Sequence, residues 1–350
     1  MIGLARLSIP SLVRVKPGTL DRLGIYLSRA EFSRVALFVS EGLVESFTRR
    51  AEAALKERNV EVVAQETVES ASFEAALDFF RNLAGACQAV VGLGGGKALD
   101  TAKYVAFLAG RPYYALPTSL SNDGFCSPQA SLTMEGRRRS FRARLPVGVV
   151  LDTEVCRSAP EHLWWSGIGD LVAKVTAVAD WKAAFHARGE TVDDFAALLS
   201  DATVYQLHSH AHRDLEGIRL LGTALMLNGI AMEISGSSRP ASGSEHLISH
   251  ALDLLSQRPR LHGLQVGVAT YLVSRLQGAG TERIAPLLER TGFWEAIRRD
   301  PFSRQEWLEA VRRAPTIKPD FYTVLDSRDC LPEVDSLLRD DPTLDGCFVE

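Results

Sequence analysis

The stretch "QAVVGLGGGKALDTAKYVAFLAG", residues 88–110, narrows the choice of fold more than any other part of the chain. An apolar run gives way to Gly94, Gly95 and Gly96, and a helical pattern then starts at once and runs to Gly110. A strand that turns straight into a helix belongs in a parallel sheet, because parallel strands need a crossover between them. The flanking sequence repeats the alternation. "RVALFVS" (34–40) and "VEVVAQE" (60–66) read as strands, "GLVESFTRRAEAALKERN" (42–59) and "SFEAALDFFRNLAG" (72–85) as helices, and "PYYALPTS" (112–119) as a fourth strand. Right-handed crossovers would place helices on both faces of the sheet. Residues 131–153 read as a hairpin followed by the strand "PVGVVLD", with Arg137, Arg138 and Arg139 solvated on an exposed turn.

Beyond Pro160 the pattern changes. One helical pattern follows another, from "HLWWSGIGDLVAKVTAVADWKAAFHA" to "RQEWLEAVRRA", with no strand signal between them. A chain of 350 residues has room for two domains of ordinary size. The expected fold is an α/β N-terminal domain with a Rossmann-like parallel sheet, residues 1–153, followed by an all-α C-terminal domain, residues 154–350. The first would bind a nucleotide, the second a metal and a substrate.

Consecutive glycines let backbone approach an anion, and the free N–H groups of a helix N-terminus favour phosphate. A tight βα turn that binds nothing would account for the same glycines. The run is not G-x-G-x-x-G, and Lys97 follows it without the order of a P-loop.

A second concentration lies at "SGSEHLISHALDLLSQRPRLHG", residues 242–263, which holds three of the eight histidines. His246 and His250 are spaced to share one helix face, and His262 opens the next helix. Two helices meeting at a turn can aim all three rings into one pocket, although polar rings on a helix surface would need no such purpose. Glu245 stands beside them, and "SGIGDLVAK" offers Asp170 after a Gly-x-Gly turn. Three protein ligands with an open position mark a catalytic metal site.

Composition limits the partners. With 39 basic against 43 acidic residues, the net charge of −4 gives no footprint for nucleic acid. The five cysteines are odd in number and scattered, which fits a reducing cytoplasm. No apolar run reads as a membrane span, and Arg and Pro interrupt the N-terminal stretch where a signal peptide would be apolar.

Several strings now carry a resemblance. "VVGLGGGKALDTAKYVA", "LPTSLSNDGFCSPQASL", "VVLDTEV", "GIGDLVAKVTAVADWK", "GSSRPASGSEHLISHALD" and "HGLQVGVATY" resemble, in order and spacing, the sn-glycerol-1-phosphate dehydrogenases. These belong to the superfamily of glycerol dehydrogenases, iron-containing alcohol dehydrogenases and dehydroquinate synthases. The resemblance runs from about residue 15 to residue 326. It implies a dehydroquinate synthase-like fold, NAD or NADP, and a divalent ion, Zn²⁺ by preference with Ni²⁺ or Fe²⁺ as alternatives. It implies Asp170, His246 and His262 as metal ligands, with His250 a substrate contact and proton handle rather than a fourth ligand. Asp123 would meet a substrate hydroxyl. Gly94, Gly95, Gly96, Lys97 and Ala98 would cradle the pyrophosphate, with Asp100, Thr118, Ser119 and Ser127 near the nicotinamide nucleotide. The substrate phosphate asks for a cation, for which Arg239 and Lys174 are candidates and Arg142 and Arg144 weaker ones.

The activity so implied interconverts dihydroxyacetone phosphate and sn-glycerol 1-phosphate, a step of phospholipid synthesis. A homodimer or larger homo-oligomer is expected, in the cytoplasm. Other readings remain: a cyclase that returns its hydride within one turnover, another (phospho- or phosphono-) alcohol dehydrogenase, and a nucleotide-binding relic. Net consumption of reduced nicotinamide separates the first.

Overall fold

The computed structural model describes residues 8–350, so the start of the N-terminal stretch, residues 1–7, lies outside the described residues. Two compact units emerge, one ending at Ala159 and the other running from Pro160 to Glu350.

The first unit is built on six parallel strands: β1 (Leu12–Lys16), β2 (Arg34–Ser40), β3 (Glu61–Val68), β4 (Ala89–Gly94), β5 (Tyr113–Pro117) and β8 (Gly148–Asp152). Between β5 and β8 the chain makes an antiparallel hairpin, β6 (Gln129–Met134) and β7 (Arg137–Arg142). Four helices, α1 (Leu23–Arg29), α2 (Glu45–Glu57), α3 (Phe73–Asn82) and α4 (Gly96–Ala109), alternate with the strands, and α5 (Thr153–Ser158) closes the unit.

The two-residue period of β2 explains the two layers of helices. Val35, Leu37 and Val39 pack into one apolar cluster with Leu23, Leu27 and Leu55, whereas Ala36 and Phe38 enter a second with Ala102, Val105 and Ala76. Strand order is β1-β8-β5-β4-β2-β3. The chain therefore builds outward from β2 to β3, then returns to the other side of β2 with β4. That reversal opens a crevice at the carboxyl ends of β2 and β4, the position at which open parallel sheets bind ligands. Ser40 ends β2 there, and Gly94 ends β4.

The second unit is helical: α6 (Glu161–Arg188), α7 (Asp194–Val204), α8 (Leu215–Ser235), α9 (Ser244–Leu255), α10 (His262–Gln277), α11 (Thr281–Arg290), α12 (Phe293–Arg299), α13 (Arg304–Ile317), α14 (Val324–Ser327) and α15 (Leu331–Asp340). Its inner helix, α6, is buried around nearly its whole circumference from Trp164 to Val178. Asp180, sealed from solvent near the end of this helix, joins three neighbours. Its Oδ2 accepts from the amide and hydroxyl of Ser244 at the start of α9, and its Oδ1 accepts from Gln277 of α10 and from the Val324 amide.

Several expectations are corrected. Residues 12–16 form a strand that the sequence reading leaves unassigned, at the sheet edge against β8. Arg137–Arg139 lie on β7 itself, and Glu135 and Gly136 make the turn with positive φ. In the helical unit, Phe302–Ser303 (β9) pairs in parallel with Phe348–Val349 (β10). Gly167 and Gly169 lie inside α6 rather than in a turn. Among the described residues one helix, α8, is long and apolar enough to cross a membrane. Because most of its apolar stretch is buried inside the protein, α8 is accounted for as a core helix packed on α7 and α6.

Candidate active site

The metal-capable cluster lies wholly within the helical unit. Asp170 of α6, His246 of α9 and His262 of α10 each offer a ligand atom, and these atoms lie within 4.8 Å of one another. Backbone contact between α6 and α10 brings Asp170 and His262 together. A β-carbon on Gly169 would overlap the Gly263 carbonyl, and one on Gly263 would overlap the Ser166 carbonyl. Gly263 also donates its amide to the Ser166 hydroxyl at 3.2 Å. Glycines at both positions let the helices touch, and the residues beside them, Asp170 and His262, then face one another. The Nε2 atoms of His246 and His262 stand 3.5 and 3.9 Å from Oδ1 of Asp170.

Electrostatics suits a cation. Burial pushes the Asp170 carboxyl up, but the Lys174 ammonium and then the two imidazoles outweigh it and hold the group below the usual carboxylate range. Burial likewise works against a charged His246, but Asp170 and Glu245 more than offset it, and its proton affinity rises. Protons and a divalent ion would compete for the same donors. One carboxylate oxygen and two imidazole nitrogens fit Zn²⁺ and accept other first-row ions. His250 is half-buried, its ring 5.8 Å from His262 and 6.4 Å from His246.

The glycine turn belongs to the first unit. Gly94 has φ of 143°, and a β-carbon there would collide with the Ser40 side chain, so the fold itself demands glycine. Gly95 and Gly96 are different: neither has positive φ, and a β-carbon on either would meet open space. Glycine is not needed there for folding, and it leaves a bare cradle at the start of α4 where an anion can touch backbone. The Gly95 amide is steadied by the Ser40 hydroxyl at 3.0 Å. Lys97 is exposed and Ala98 buried on the first turn of α4, and Thr118 donates its amide to the Gly94 carbonyl.

Asp100, Ser127 and the loop of Asp123 are tied together by Lys103. Its buried ammonium donates to Asp100 Oδ1 at 2.9 Å and to the carbonyls of Gly124 and Gln129 at 2.5 and 2.7 Å. The Ser127 hydroxyl donates to the Gln129 carbonyl. The Asn122 side chain accepts from the Gly124 amide, and Asp123 and Ser119 remain partly exposed.

Both preferred phosphate cations have protein partners. Arg239 holds Glu190 through two nitrogens, donates to the Tyr322 carbonyl at 2.8 Å, and lies 3.5 Å above the Phe321 ring. Lys174 is sealed from solvent, 3.4 Å from Asp170 Oδ2, and donates to the Ala241 carbonyl. All of these contacts lie within the helical unit. Arg142 is exposed on β7, and Arg144 lies 5.8 Å over Phe107.

Sequence reasoning passes over Ser40, Lys103, Ser249 and Asp180. For Lys103 the signal was present, three residues after Asp100 on one helix face. The others act through partners far away in sequence.

The fold and one family comparison agree on the class. A family model for iron-containing alcohol dehydrogenase matches residues 14–160. A probable glycerol dehydrogenase from Sinorhizobium meliloti shares the fold with a TM-score of 0.74 at 20% identity, covering 95% of this chain and 98% of that one. The glycerol dehydrogenase of Schizosaccharomyces pombe does so at 0.75 and 18%, covering 94% and 90%. Within that class the relatives are more specific. The glycerol-1-phosphate dehydrogenase [NAD(P)+] of Aeropyrum pernix is 36% identical over 327 residues, 91% of this chain and 93% of that one. That of Pyrococcus furiosus is 39% identical over 239 residues, 67% and 69% of the two chains. The chain belongs to the glycerol-1-phosphate dehydrogenase family.

Proposed function

We propose that the chain is a metal-dependent NAD(P)H oxidoreductase that interconverts dihydroxyacetone phosphate and sn-glycerol 1-phosphate. The observation that carries this reading is the Asp170, His246 and His262 cluster, present in a chain whose relatives bear that enzyme's name. Asp170, His246 and His262 hold the ion, Zn²⁺ by preference and Ni²⁺ or Fe²⁺ as alternatives. When bound, the ion supplies Lewis acidity toward a ketone oxygen and the nicotinamide supplies the hydride.

The chain's own residues do the rest. Gly95 and Gly96, with the amides that open α4, take the pyrophosphate, and Lys97 and Ala98 complete that turn. Asp100, Thr118, Ser119 and Ser127 border the nicotinamide nucleotide. Lys174 balances Asp170 before any ion arrives and keeps its carboxylate charged. Asp123 accepts a hydrogen bond from a substrate hydroxyl. His250 is the proton handle: its ring borders the cluster without belonging to it, and imidazole exchanges protons near neutral pH. The cytoplasm, a homodimer or larger homo-oligomer, and phospholipid synthesis complete the proposal.

The test is oxidation of NADH and of NADPH with dihydroxyacetone phosphate, followed by assay of the product against both glycerol phosphate enantiomers. Consumption that yields sn-glycerol 1-phosphate supports the reading and reveals the preferred coenzyme. No consumption with metal present overturns it and favours the cyclase or another substrate.

A further inference from the structure

We propose that Glu245 is a positioning residue for the metal centre, fixing His246 in the tautomer that carries its proton on Nδ1 and presents the Nε2 lone pair toward Asp170. The inference rests on reading Asp170, His246 and His262 as a metal site, and it gives a task to a carboxylate outside that donor set.

Glu245 is completely buried, and both its oxygens are turned to donors. Oε1 accepts from the Gly243 amide at 2.5 Å and stands 2.9 Å from Nδ1 of His246. Oε2 accepts from the Thr176 hydroxyl at 2.9 Å. Both Glu245 oxygens already act as acceptors, so the ring nitrogen facing Oε1 is the one that brings the proton. A neutral imidazole then has its lone pair on Nε2, the nitrogen that lies 3.5 Å from Asp170 Oδ1. Thr176 sits on α6 six residues beyond Asp170, so the same carboxylate also fixes the ring relative to the helix that carries the acidic ligand.

His262 is anchored in the same sense but more weakly. Its Nδ1 lies 3.2 Å from the Ser249 hydroxyl, which accepts from the Gln265 amide at 3.0 Å, and its Nε2 also faces Asp170. One imidazole is therefore backed by a carboxylate and the other by a neutral hydroxyl. A charged acceptor at Nδ1 raises the basicity of Nε2, and such outer partners are worth about 10- to 100-fold in metal affinity. His246 is accordingly the stronger imidazole donor of the pair.

A purely structural Glu245 would only satisfy the Gly243 and Thr176 donors. Two measurements separate the roles. Neutron diffraction from deuterated, zinc-loaded wild-type crystals reads the tautomer without any substitution. We expect a deuteron on His246 Nδ1 and zinc at Nε2; zinc at Nδ1, or a deuteron on Nε2, overturns the proposal. Chelator-competition titrations with Zn²⁺ then compare Glu245→Gln, which keeps shape and an acceptor oxygen but loses the charge, with Ser249→Ala. The Gln variant should bind zinc about 10- to 100-fold more weakly, and the Ser249 variant should lose less. Wild-type affinity in a folded Glu245→Gln protein contradicts the proposal. Wild-type protein that binds no zinc would instead overturn the metal-site reading beneath it, a distinct result.

Discussion

Gly169 of α6 packs its α-carbon against the backbone carbonyl of Gly263 in α10, so closely that a single added methyl would overlap the oxygen. Each glycine is the chain neighbour of a proposed metal ligand, Asp170 or His262. The closeness of two backbones thus sets the distance between two donors. Gly169→Ala should cost about 1–3 kcal/mol through overpacking and should also weaken zinc binding, because the helices must part. Thermal unfolding and a metal titration on the same sample check both; a destabilised variant with unchanged zinc affinity would detach the donors from the helix crossing.

The glycine turn makes a contrasting prediction. Gly94→Ala should destabilise the first unit, because that position combines positive φ with the Ser40 side chain. Gly95→Ala and Gly96→Ala should unfold like the wild type yet bind NADH at least tenfold more weakly, about 1.4 kcal/mol. Equal NADH affinity in all three folded variants would leave the turn without a ligand.

Lys174 is the buried counter-charge of Asp170. Replacing it by Met leaves a carboxylate uncompensated in the metal-free protein, a loss of roughly 3–5 kcal/mol for a broken buried pair. A divalent ion on Asp170 supplies the missing charge. The gain in melting temperature on adding Zn²⁺ should therefore be larger for Lys174→Met than for the wild type, as scanning calorimetry would report. An equal gain would show that Lys174 and the ion do not share that carboxylate.

Burial, and then the nearby Glu245 carboxylate, push the Asp180 carboxyl up to about 6 despite its several donors. The folded chain thus keeps a proton that the unfolded chain releases at lower pH. The stability this contributes is full below the ordinary carboxylate value of about 3.9 and is lost as pH rises through about 6. Asp180→Asn cannot titrate there. The wild type should lose unfolding free energy relative to that variant between about pH 4 and pH 7; a difference that is flat across this range, measured by denaturant titration, would contradict the shift.

Much of the fold is legible in the sequence because both of its periodicities are strong. The alternation along β2 and the apolar spacing of α2 need no tertiary information, and the resemblance carries through to the family. Strand β1 is harder to see, since its residues are half-exposed and pair only with β8, so no clear hydrophobic period marks them. The Phe302–Ser303 pairing is two residues long and depends on a partner at the chain's far end.

The candidate site is legible to the same limited extent. His246 and His262 stand out by clustering, whereas Asp170 is offered by its string and assigned as a ligand only by resemblance, because one aspartate in an apolar helix carries no period of its own. Arg239 and Lys174 have partners that the sequence does not announce, because a cation's sequence neighbours do not say which carboxylate it will meet. Arg239 meets Glu190, and Lys174 meets Asp170. Ser40 and Ser249 escape notice likewise, since each acts through a contact that only the folded chain creates.

The most direct test of the account is turnover of dihydroxyacetone phosphate by metal-stripped protein during titration with Zn²⁺, in wild type and in His262→Ala. Oxidation of the reduced nicotinamide should be absent at the start, rise to an end point at one ion per chain, and fail to appear in the variant. Full turnover by stripped wild-type protein held in chelator would contradict a reaction centred on Asp170, His246 and His262.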